Sequence, residues 1–573
     1  MNRKDRPCLL CTCFDSQTIE LDEIGRALAP EGRLKKVAEL CRRDVGCFRE
    51  LAESGEPFTV ACEQEAPLFS ALAPQSDVRF VDIRDSAGWS SAGGSKAPKM
   101  AALLAAAAIE APPPESLQVV SNGHCVVIGS GQPALDCAMT LADRLDVTLV
   151  LRGDADGIVL PSAKGVDILV AGVTRLKGSL GAFRLELDDA TRIAPNSRDT
   201  LCLEPAENRL ACDIVFDLSN DMPLVIAPEK RSGYIQVDPD DPVRVHSAML
   251  SLTELVGTFE KTRYIHLEPA ACIHSRDGTT GCTLCLVNCP TSAIRPDGEH
   301  VSIDPMICAG CGSCSALCPT GAASYAAPAT DVLVARLEEL LGVYLDAGGL
   351  GPVLLVHEVD HGRELISALA RYGDGLPANV LPFDAGELGR IGLDLMLSAF
   401  AIGAKRLIFL AATAKAGDLI ALETGLTQAT SILEGLGYGR DRLRLLVEDD
   451  PERLARDFDE SRAGAECSMP RGAMSGCSGK RERMWMAIDQ LAAPDRTDMP
   501  VKRSPLCPDA VRSDRDRGER CALACARTCP TGALIGDAKR QRSASEKRPA
   551  FRSVPQGLPR RNRHPRTTPR MVR

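Results

Sequence analysis

Aromatic residues and histidines are scarce in this chain of 573 residues. Phe, Trp and Tyr together make up 4% of the sequence, and there are only eight histidines. No Ser–His–Asp set, paired carboxylates or His-rich metal motif stands out, so nothing indicates a hydrolytic centre or a His-based metal site. His124, His266 and His274 lie near motifs but have no visible partner, and we expect structural or surface roles for them.

Long apolar runs are also missing. No run of about 18 apolar residues occurs, so we expect no membrane span. The start, MNRKDRPCLLC, lacks the apolar core of a signal peptide. The 24 cysteines of a chain without an export signal favour the reducing cytoplasm, where clustered thiols bind metal more often than they form disulfides.

Charge is distributed unevenly. Residues 536–573 contain 12 Lys/Arg and 2 Asp/Glu, a charge of +10, so the rest of a chain whose net charge is −10 carries −20. An acidic body suits docking on basic patches of redox proteins. The basic segment has almost no aromatic residues and no helical period, which predicts a disordered tail rather than a nucleic-acid-binding element.

Eight cysteines within 47 residues form the strongest motif. The second half of this block reads CAGCGSCSALCP, which is C-x2-C-x2-C-x3-C-P. The first half has one cysteine, nine further residues and then CTLCLVNCP, with the same later spacing and the same final proline. Thiolates at these spacings are soft ligands that hold cubane iron–sulfur clusters. The block therefore predicts two [4Fe–4S] clusters.

The ligands of the two clusters follow from a crossing rule. In two-cluster ferredoxins the cysteine before the proline ligates the other cluster. We assign one cluster to Cys289, Cys308, Cys311 and Cys314, and the other to Cys272, Cys282, Cys285 and Cys318. We expect the seven extra residues after Cys272 to form a surface loop that leaves this thiol a ligand. Zinc or structural thiols are the alternative, which the two Cys-Pro endings disfavour.

The repeat extends beyond the cysteines. PTSAI and PTGAA follow the two halves, which predicts a pair of related halves. Between them, RPDGEHVSID predicts a hairpin with a D-G turn. The block closely resembles the bacterial-type two-cluster ferredoxins, and this resemblance implies low-potential transfer of single electrons.

A glycine turn follows the apolar run CVVI. The string GSGQPALDCAMTLADRL, followed by VTLVL, predicts strand, turn, helix and strand. Gly129, Gly131 and Ala134 would let backbone N–H groups approach a pyrophosphate at the helix N-terminus. The acidic residue that normally ends the second strand is absent, with Arg152 there instead. FAD or NAD(P) binding and a Rossmann-like unit without nucleotide therefore stay open.

The first 62 residues contain six cysteines, among them Cys11, Cys13, Cys41 and Cys62. Their order with CTC, ACEQEAPLF and VDIRDSAGWS, ahead of the glycine turn and the cysteine block, resembles the A subunit of heterodisulfide reductase. That family is a flavin and iron–sulfur hub that routes electrons between partners. The resemblance implies that these four cysteines ligate an additional [4Fe–4S] cluster, with ordinary buried thiols as the alternative.

The region after the cysteine block predicts a parallel sheet. Its apolar runs PVLLVH, RLIFLA and LRLLVE alternate with helical patterns. GLPANVLPFDAGELGRIGLDLMLSAFAIGAKRLIFLAA resembles the delta subunit of methyl-viologen-reducing hydrogenase, whose domain holds a [2Fe–2S] cluster through cysteines. No cysteine occurs between Cys318 and Cys467. We therefore expect that this cluster is lost and that the domain serves as a docking platform.

A broken motif lies near the carboxyl end. CALACARTCPTGAL contains Cys521, Cys525 and Cys529 with one gap too long, and only Cys507 offers a fourth ligand. No core pattern follows it. We interpret this region as a degenerate half motif or the product of a shifted reading frame, with another cluster as the alternative.

The predicted fold class is a multidomain α/β protein with an inserted bacterial-type dicluster ferredoxin (α+β) domain and a disordered basic C-terminal tail. Six units are predicted: an α/β domain with cysteines at 1–115, a Rossmann-like domain at 116–262, the dicluster domain at 263–326, the hydrogenase-delta-like α/β domain at 331–462, the degenerate half motif at 463–535 and the tail at 536–573.

Three functional hypotheses follow from these units. The first is a cytoplasmic subunit that relays single electrons between a dehydrogenase and another redox carrier. The whole arrangement resembles proteobacterial 4Fe–4S proteins found beside formate dehydrogenase genes, which implies formate dehydrogenase subunits as partners. The second is an FAD-dependent oxidoreductase subunit of the heterodisulfide-reductase-A type. The third is an assembly factor for a molybdenum formate dehydrogenase.

Overall fold

The structure is a computed structural model. It describes residues 6–28, 33–91, 94–153, 155, 157–160, 165–194, 196–197, 201–227, 231–276, 279–460, 469–474, 476–477 and 479–492, with the short paired strands Leu534–Ile535 and Arg570–Met571. The predicted ligands Cys507, Cys521, Cys525 and Cys529 lie outside the described residues. Most of the predicted half motif also lies outside the described residues, and so does the basic tail apart from the strand Arg570–Met571.

The N-terminal unit is a parallel sheet with helices between its strands. Its elements are β1 (Cys8–Cys11), α1 (Leu21–Leu28), β2 (Leu34–Val37), α2 (Val45–Ser54), β3 (Phe58–Ala61), α3 (Ala66–Leu72), β4 (Val78–Phe80) and α4 (Ala97–Ala107). The strand order is β2-β1-β3-β4, and all pairs are parallel. The central strands β1 and β3 are buried along their length, as is usual where helices cover both faces of a parallel sheet.

The second unit is a larger mixed sheet. Its elements are β5 (Ser116–Ser121), β6 (His124–Gly129), α5 (Gly131–Leu141), β7 (Asp146–Leu151), β8 (Val166–Lys177), β9 (Phe183–Ile193), β10 (Leu203–Pro205), β11 (Arg209–Cys212), β12 (Ile214–Asp217), β13 (Tyr234–Gln236), α6 (Pro242–Thr253) and β14 (Gly257–Thr262). The order is β10-β9-β8-β7-β6-β12-β13, with β11 also on β9, and β5 pairs with β14 outside this sheet. The predicted strand, turn, helix and strand are confirmed as β6, α5 and β7, the two strands being parallel.

The cysteine block folds as a compact unit of short elements. They are β15 (Ile265–Leu267), β16 (Ser275–Arg276), β17 (Thr279–Thr280), α7 (Leu284–Val287), β18 (Ile294–Asp297), β19 (His300–Ile303), α8 (Ser313–Leu317) and β20 (Ala323–Tyr325). Antiparallel pairing of β15 with β20 joins the two ends of the unit. The predicted D-G hairpin is confirmed as β18 and β19, and Gly298 takes the left-handed φ of +63° that the turn requires.

The fourth unit is again a parallel α/β layer. Its elements are α9 (Thr330–Asp346), β21 (Val353–His357), α10 (Val359–Tyr372), β22 (Val380–Asp384), α11 (Leu393–Ile402), β23 (Arg406–Ala411), α12 (Ile420–Gly435), β24 (Leu443–Val447), α13 (Pro451–Glu460) and α14 (Lys480–Leu491). The order β22-β21-β23-β24, parallel throughout, confirms the predicted sheet. The apolar runs predict three of these strands, but β22 carries Pro382 inside its run. A proline is tolerated there because β22 is an edge strand.

The first and fourth units share a core. Ala102 on α4 is fully buried in the hydrophobic cluster of the fourth unit, together with Leu337 and Leu341 of α9. The small side chains of the alanine-rich α4 allow the two helices to approach closely. The mixed α/β architecture is therefore as predicted, and these two units are joined by packing as well as by the chain. None of the described helices is both long and apolar enough to cross a bilayer.

Candidate metal centres

One predicted ligand set surrounds a small cavity in the cysteine block. Cys272, Cys282, Cys285 and Cys318, here called the Cys272 quartet, all line it. Burial raises the pKa of the Cys285 thiol to about 11, and the neighbouring thiols of the quartet add to this rise. The structure therefore brings together four thiols that the sequence separates by up to 46 residues.

The other predicted set gathers around α8. Cys289, Cys308, Cys311 and Cys314 are called the Cys308 quartet. Burial, followed by Cys311, Cys308 and Cys289, raises the pKa of Cys314 well above its ordinary value. In each set the cysteine that precedes the proline comes from the other half of the repeat, as in the crossed arrangement that the sequence predicts.

A hairpin accommodates the stretched gap after Cys272. The strands β16 and β17 pair there in antiparallel fashion. His274 closes the base of this hairpin: its carbonyl accepts from Gly281 N at 2.7 Å, and its ring Nδ1 lies 2.9 Å from the Cys282 carbonyl oxygen. His274 is buried, and Cys272 packs in the hydrophobic core of the unit. The extra residues thus leave the main path of the chain, and Cys272 stays beside Cys282.

The two halves of the block repeat the same contact. Sγ of Cys289 lies 3.6 Å from Oγ1 of Thr291, and Sγ of Cys318 lies 3.6 Å from Oγ1 of Thr320. In the first half, the backbone N–H of Ala293 also donates to Sγ of Cys289 at 3.3 Å. Such donors stabilise a thiolate. The recurring Cys-Pro-Thr turns therefore have a chemical role in both halves.

The donors of both quartets are thiols, which bind either zinc or the iron of a cluster. In the part of the chain that the structure describes, no three His, Cys, Asp or Glu side chains converge closely enough to hold one metal ion. A zinc site would require four ligands about 2.3 Å from one centre. The thiolates of a cubane each bind a different iron and stand farther apart. The cysteine spacing and the two Cys-Pro endings are therefore the reason to expect iron–sulfur clusters rather than zinc.

The fourth unit packs directly on the cysteine block. The guanidinium of Arg390 lies 3.9 Å from the centre of the Tyr325 ring and donates to the carbonyl of Pro328. Burial lowers the pKa of Arg390 to about 10. Gly389 approaches the Cys311 carbonyl so closely that a Cβ atom would lie 2.6 Å from that oxygen. The Cys308 quartet is thus covered by the fourth unit.

The four N-terminal cysteines also come together, at one edge of the first sheet. Cys11 and Cys13 stand at the end of β1, Cys41 follows β2 and Cys62 follows β3. These strands are neighbours and parallel, so their carboxyl ends meet. All four residues line a cavity of about 820 Å³ between the first and fourth units. Burial raises the pKa of Cys62 to about 11, and the Cys11 and Cys41 thiols add to the rise.

The loop that carries Cys13 has an unusual backbone. Cys13, Phe14 and Asp15 all have left-handed φ, at 51°, 59° and 58°. Such non-glycine conformations are strained and concentrate at functional sites. The backbone N–H groups of Cys13 and Leu40 both point at Sγ of Cys11, at 3.4 and 3.5 Å. Burial is the largest influence on the pKa of Cys11 and raises it, whereas these two N–H groups lower it.

Arg84 adds a cation to this edge. Its guanidinium donates to Sγ of Cys13 at 3.5 Å, pairs with Asp85 at 2.7 Å and stacks on Trp89. It follows β4, so all four strands of the sheet contribute to the cavity. Spacing does not single out Arg84, although the segment VDIRDSAGWS contains it. A search for charged residues shortly after each strand of the sheet would have found Arg84.

The glycine turn is explained by packing. A Cβ on Gly129 would lie 2.7 Å from the Cβ of Ala134, so the close approach of α5 to β6 requires glycine there. Gly131 begins α5 with a φ of +66°. Arg152 follows β7 and forms an ion pair with Asp221, which follows β12. Because β7 and β12 flank β6, this pair spans the edge at which a dinucleotide would meet the turn.

Comparison with known proteins matches the cysteine block. A family model described as a 4Fe–4S dicluster domain covers residues 280–322, which include every cysteine from Cys282 to Cys318. The chain is 39% identical over 69 residues to the B subunit of sulfite dehydrogenase from Allochromatium vinosum, covering 12% of this chain and 26% of that protein. It is 36% identical over 59 residues to the ferredoxin 7Fe of Hydrogenibacillus schlegelii, covering 10% of this chain and 67% of that protein. The chain thus spans about a quarter of the length of the sulfite dehydrogenase protein.

Proposed function

Because the chain belongs through this block to the 4Fe–4S dicluster ferredoxins, we propose that it relays single electrons between a dehydrogenase and another redox carrier. The observation that carries the proposal is the grouping of eight thiols into two crossed quartets within one compact unit. Each quartet supplies the four soft ligands that one cubane needs.

The residues of each quartet have defined tasks in this proposal. A cluster held there supplies a centre that takes up and releases one electron. The cysteine thiolates hold it, and the N–H and hydroxyl groups beside Cys289 and Cys318 offset the negative charge. His274 and its hairpin keep Cys272 close to the other three thiols of its quartet. Arg390 and Gly389 pack against the Cys308 quartet from the fourth unit.

The partner is proposed to be a dehydrogenase. Support comes from the likeness to a protein named as part of a sulfite dehydrogenase, which pairs this type of domain with such an enzyme. Formate dehydrogenase subunits are the specific partners we propose. The reducing cytoplasm is the proposed location, because there clustered thiols bind metal more often than they form disulfides.

We further propose that Cys11, Cys13, Cys41 and Cys62 hold an additional cluster. The strained loop at Cys13 and the two N–H groups directed at Cys11 support it. The cavity there is larger than that of the Cys272 quartet and has a cation, Arg84, at its wall. An electron relay with a third centre would span the first, third and fourth units.

The relay is favoured over the flavoenzyme. Packing and backbone conformation explain why glycine occurs at 129 and 131, without a nucleotide. The Arg152–Asp221 pair also lies across the edge of the sheet where a dinucleotide would bind. Acid extraction followed by fluorescence measures flavin directly. A stoichiometric flavin in the purified protein would replace the relay by the oxidoreductase, and its absence supports the relay.

Reduction by an enzyme tests the proposed role. The full chain, purified without oxygen, is mixed with catalytic formate dehydrogenase and formate, and visible absorbance follows the clusters. We expect bleaching that a one-electron acceptor reverses. The variant Cys311→Ala is the matched control and should bleach less. A protein with full iron content that dithionite cannot reduce would contradict electron transfer, whereas failure with formate dehydrogenase alone would exclude only this partner.

A further inference from the structure

A lysine from the last described helix reaches the cysteine block. Lys480 begins α14, which belongs to the fourth unit. Its Nζ donates to the carbonyl oxygen of Ser315 at 2.6 Å and to that of Ala316. Both carbonyls belong to α8, the helix that contains Cys314 and ends just before Cys318. The Cβ of Lys480 also lies against Gly321, where a Cβ would be 3.2 Å away.

The ammonium of Lys480 is placed between the two quartets. Burial is the largest influence on its pKa and lowers it. The negative charges of Asp394, Cys318 and Cys314 act in the opposite direction and favour the ammonium form. Cys318 belongs to the Cys272 quartet and Cys314 to the Cys308 quartet. One cation therefore lies close to a ligand of each quartet, and its stem packs on Gly321, three residues after Cys318.

The charge of Lys480 is not consumed by an ion pair. The nearby Asp394 pairs with Arg483 at 3.1 Å, and Arg483 pairs also with Asp331 at 2.7 Å. Among the residues that the structure describes, no carboxylate lies within ion-pair distance of the Lys480 Nζ, whose hydrogen-bond partners are the two carbonyls. Asp394 is nonetheless the largest charged influence on Lys480, followed by the thiol of Cys318.

We propose that Lys480 sets the reduction potential of the clusters, most strongly of the one in the Cys272 quartet. This inference rests on the proposed function, because it requires clusters in the quartets. A reduced cluster carries one more negative charge than an oxidised one, and a cation in a water-poor site stabilises it. One electron enters from the donor, and no bond is made or broken. Lys480 is therefore a positioning residue that raises the potential.

A purely structural role would place the lysine in the same position. A lysine that satisfies the last carbonyls of a helix is a common C-terminal cap. The two roles separate when the charge is removed but hydrogen-bond donors are kept. Lys480→Gln does this, and Lys480→Arg keeps the charge. Lys480→Met removes both and serves if the glutamine variant does not fold.

The test is a redox titration of the full chain followed by electron paramagnetic resonance. Dithionite is the reductant, and the protein is purified without oxygen. In Lys480→Gln we expect the equilibrium constant for reduction of at least one cluster to fall at least tenfold, which is about 59 mV for a one-electron couple. Lys480→Arg should restore it. Arg481→Gln, which removes an equal charge one residue along the helix, should shift it far less.

The outcomes separate this inference from the function it rests on. If Lys480→Gln and Lys480→Met keep iron and sulfide at the wild-type level and leave both potentials unchanged, Lys480 is only a cap and the inference is wrong. If the wild type itself contains no clusters, the proposed function fails, and the inference fails with it. A fall of equal size in Arg481→Gln would show a general charge effect and also overturn the role of Lys480.

Discussion

The cysteine block and the N-terminal thiol group bring cysteine thiols together in different ways. In the block, seven of the eight thiols lie within 37 residues, and short turns hold them. At the N-terminus, four thiols come from the ends of three separate strands and meet only because those strands are adjacent and parallel. The first arrangement is local, whereas the second exists only in the folded sheet.

The surroundings differ as well. The Cys308 quartet is covered by Arg390 and Gly389 of the fourth unit. The N-terminal thiols instead open into a cavity of about 820 Å³ between two units. A local motif tolerates little change in spacing but needs little help from the rest of the fold. A site at strand ends depends on the packing of whole units, so its stability is tied to their interface.

The largest effect is expected in the block. Cys311→Ala should lower the iron content by about four atoms per chain, one cubane, because the cluster loses one of the four thiolates that hold it. Iron and sulfide analysis of the protein purified without oxygen measures this. Cys137→Ala, on α5 in the second unit, is the control and should change nothing. Unchanged iron in Cys311→Ala would remove this residue from the ligands.

The N-terminal group should behave in the same way if it holds a cluster. We expect Cys62→Ala to lower the iron content by about four atoms and to leave the spectra of the other two clusters intact. Cys47→Ala is matched, because Cys47 lies on α2 in the same unit but away from the cavity. Equal iron in both variants would show that the N-terminal thiols are ordinary buried residues.

The stretched half should lose less than a whole cluster. Cys272→Ser removes the ligand on the far side of the hairpin, and we expect about one iron to leave and a three-iron signal to appear in electron paramagnetic resonance. One protein to which this chain is similar is named ferredoxin 7Fe. If Cys272→Ser keeps an intact four-iron cluster, another group ligates the fourth iron.

The interface beside the N-terminal cavity should depend on pH. Lys99 is fully buried there, and its Nζ donates to the Pro377 carbonyl at 3.3 Å. Burial lowers the pKa of Lys99 to about 7, whereas that of an unfolded lysine is about 10.4. Between these values the unfolded chain binds more protons, so stability rises with pH.

Lys99→Met should remove this dependence. It should be more stable than the wild type at pH 7, and the difference should shrink by about 2 kcal/mol at pH 9. Urea unfolding followed by circular dichroism without oxygen measures it. Asp82 raises the pKa of Lys99, and burial raises the pKa of Asp82 itself. An equal difference at the two pH values would contradict the burial of a neutral lysine.

Much of the architecture is readable from the chain. Apolar runs such as RLIFLA predict the parallel strands of the fourth unit, and the D-G pair predicts the hairpin between the halves. The edge strand β22 is hidden by Pro382. Its place at the sheet edge depends on tertiary order, which a local pattern does not contain.

Some features of the candidate sites can be predicted from the sequence, and others cannot. Spacing alone groups the eight thiols of the block, because their ligand geometry is encoded within short turns. It does not find Arg84 or Lys480, which approach thiols from other strands or another unit. It also does not reveal that Gly129 serves packing against Ala134. These features depend on contacts between segments far apart in the chain.

Iron and acid-labile sulfide analysis of the full chain purified without oxygen, joined to a redox titration followed by electron paramagnetic resonance, tests the two-cluster assignment most directly. We expect equal iron and sulfide in at least two [4Fe–4S] clusters per chain, each reversibly reduced by one electron at low potential. Zinc in place of iron, or iron without sulfide, would contradict this assignment.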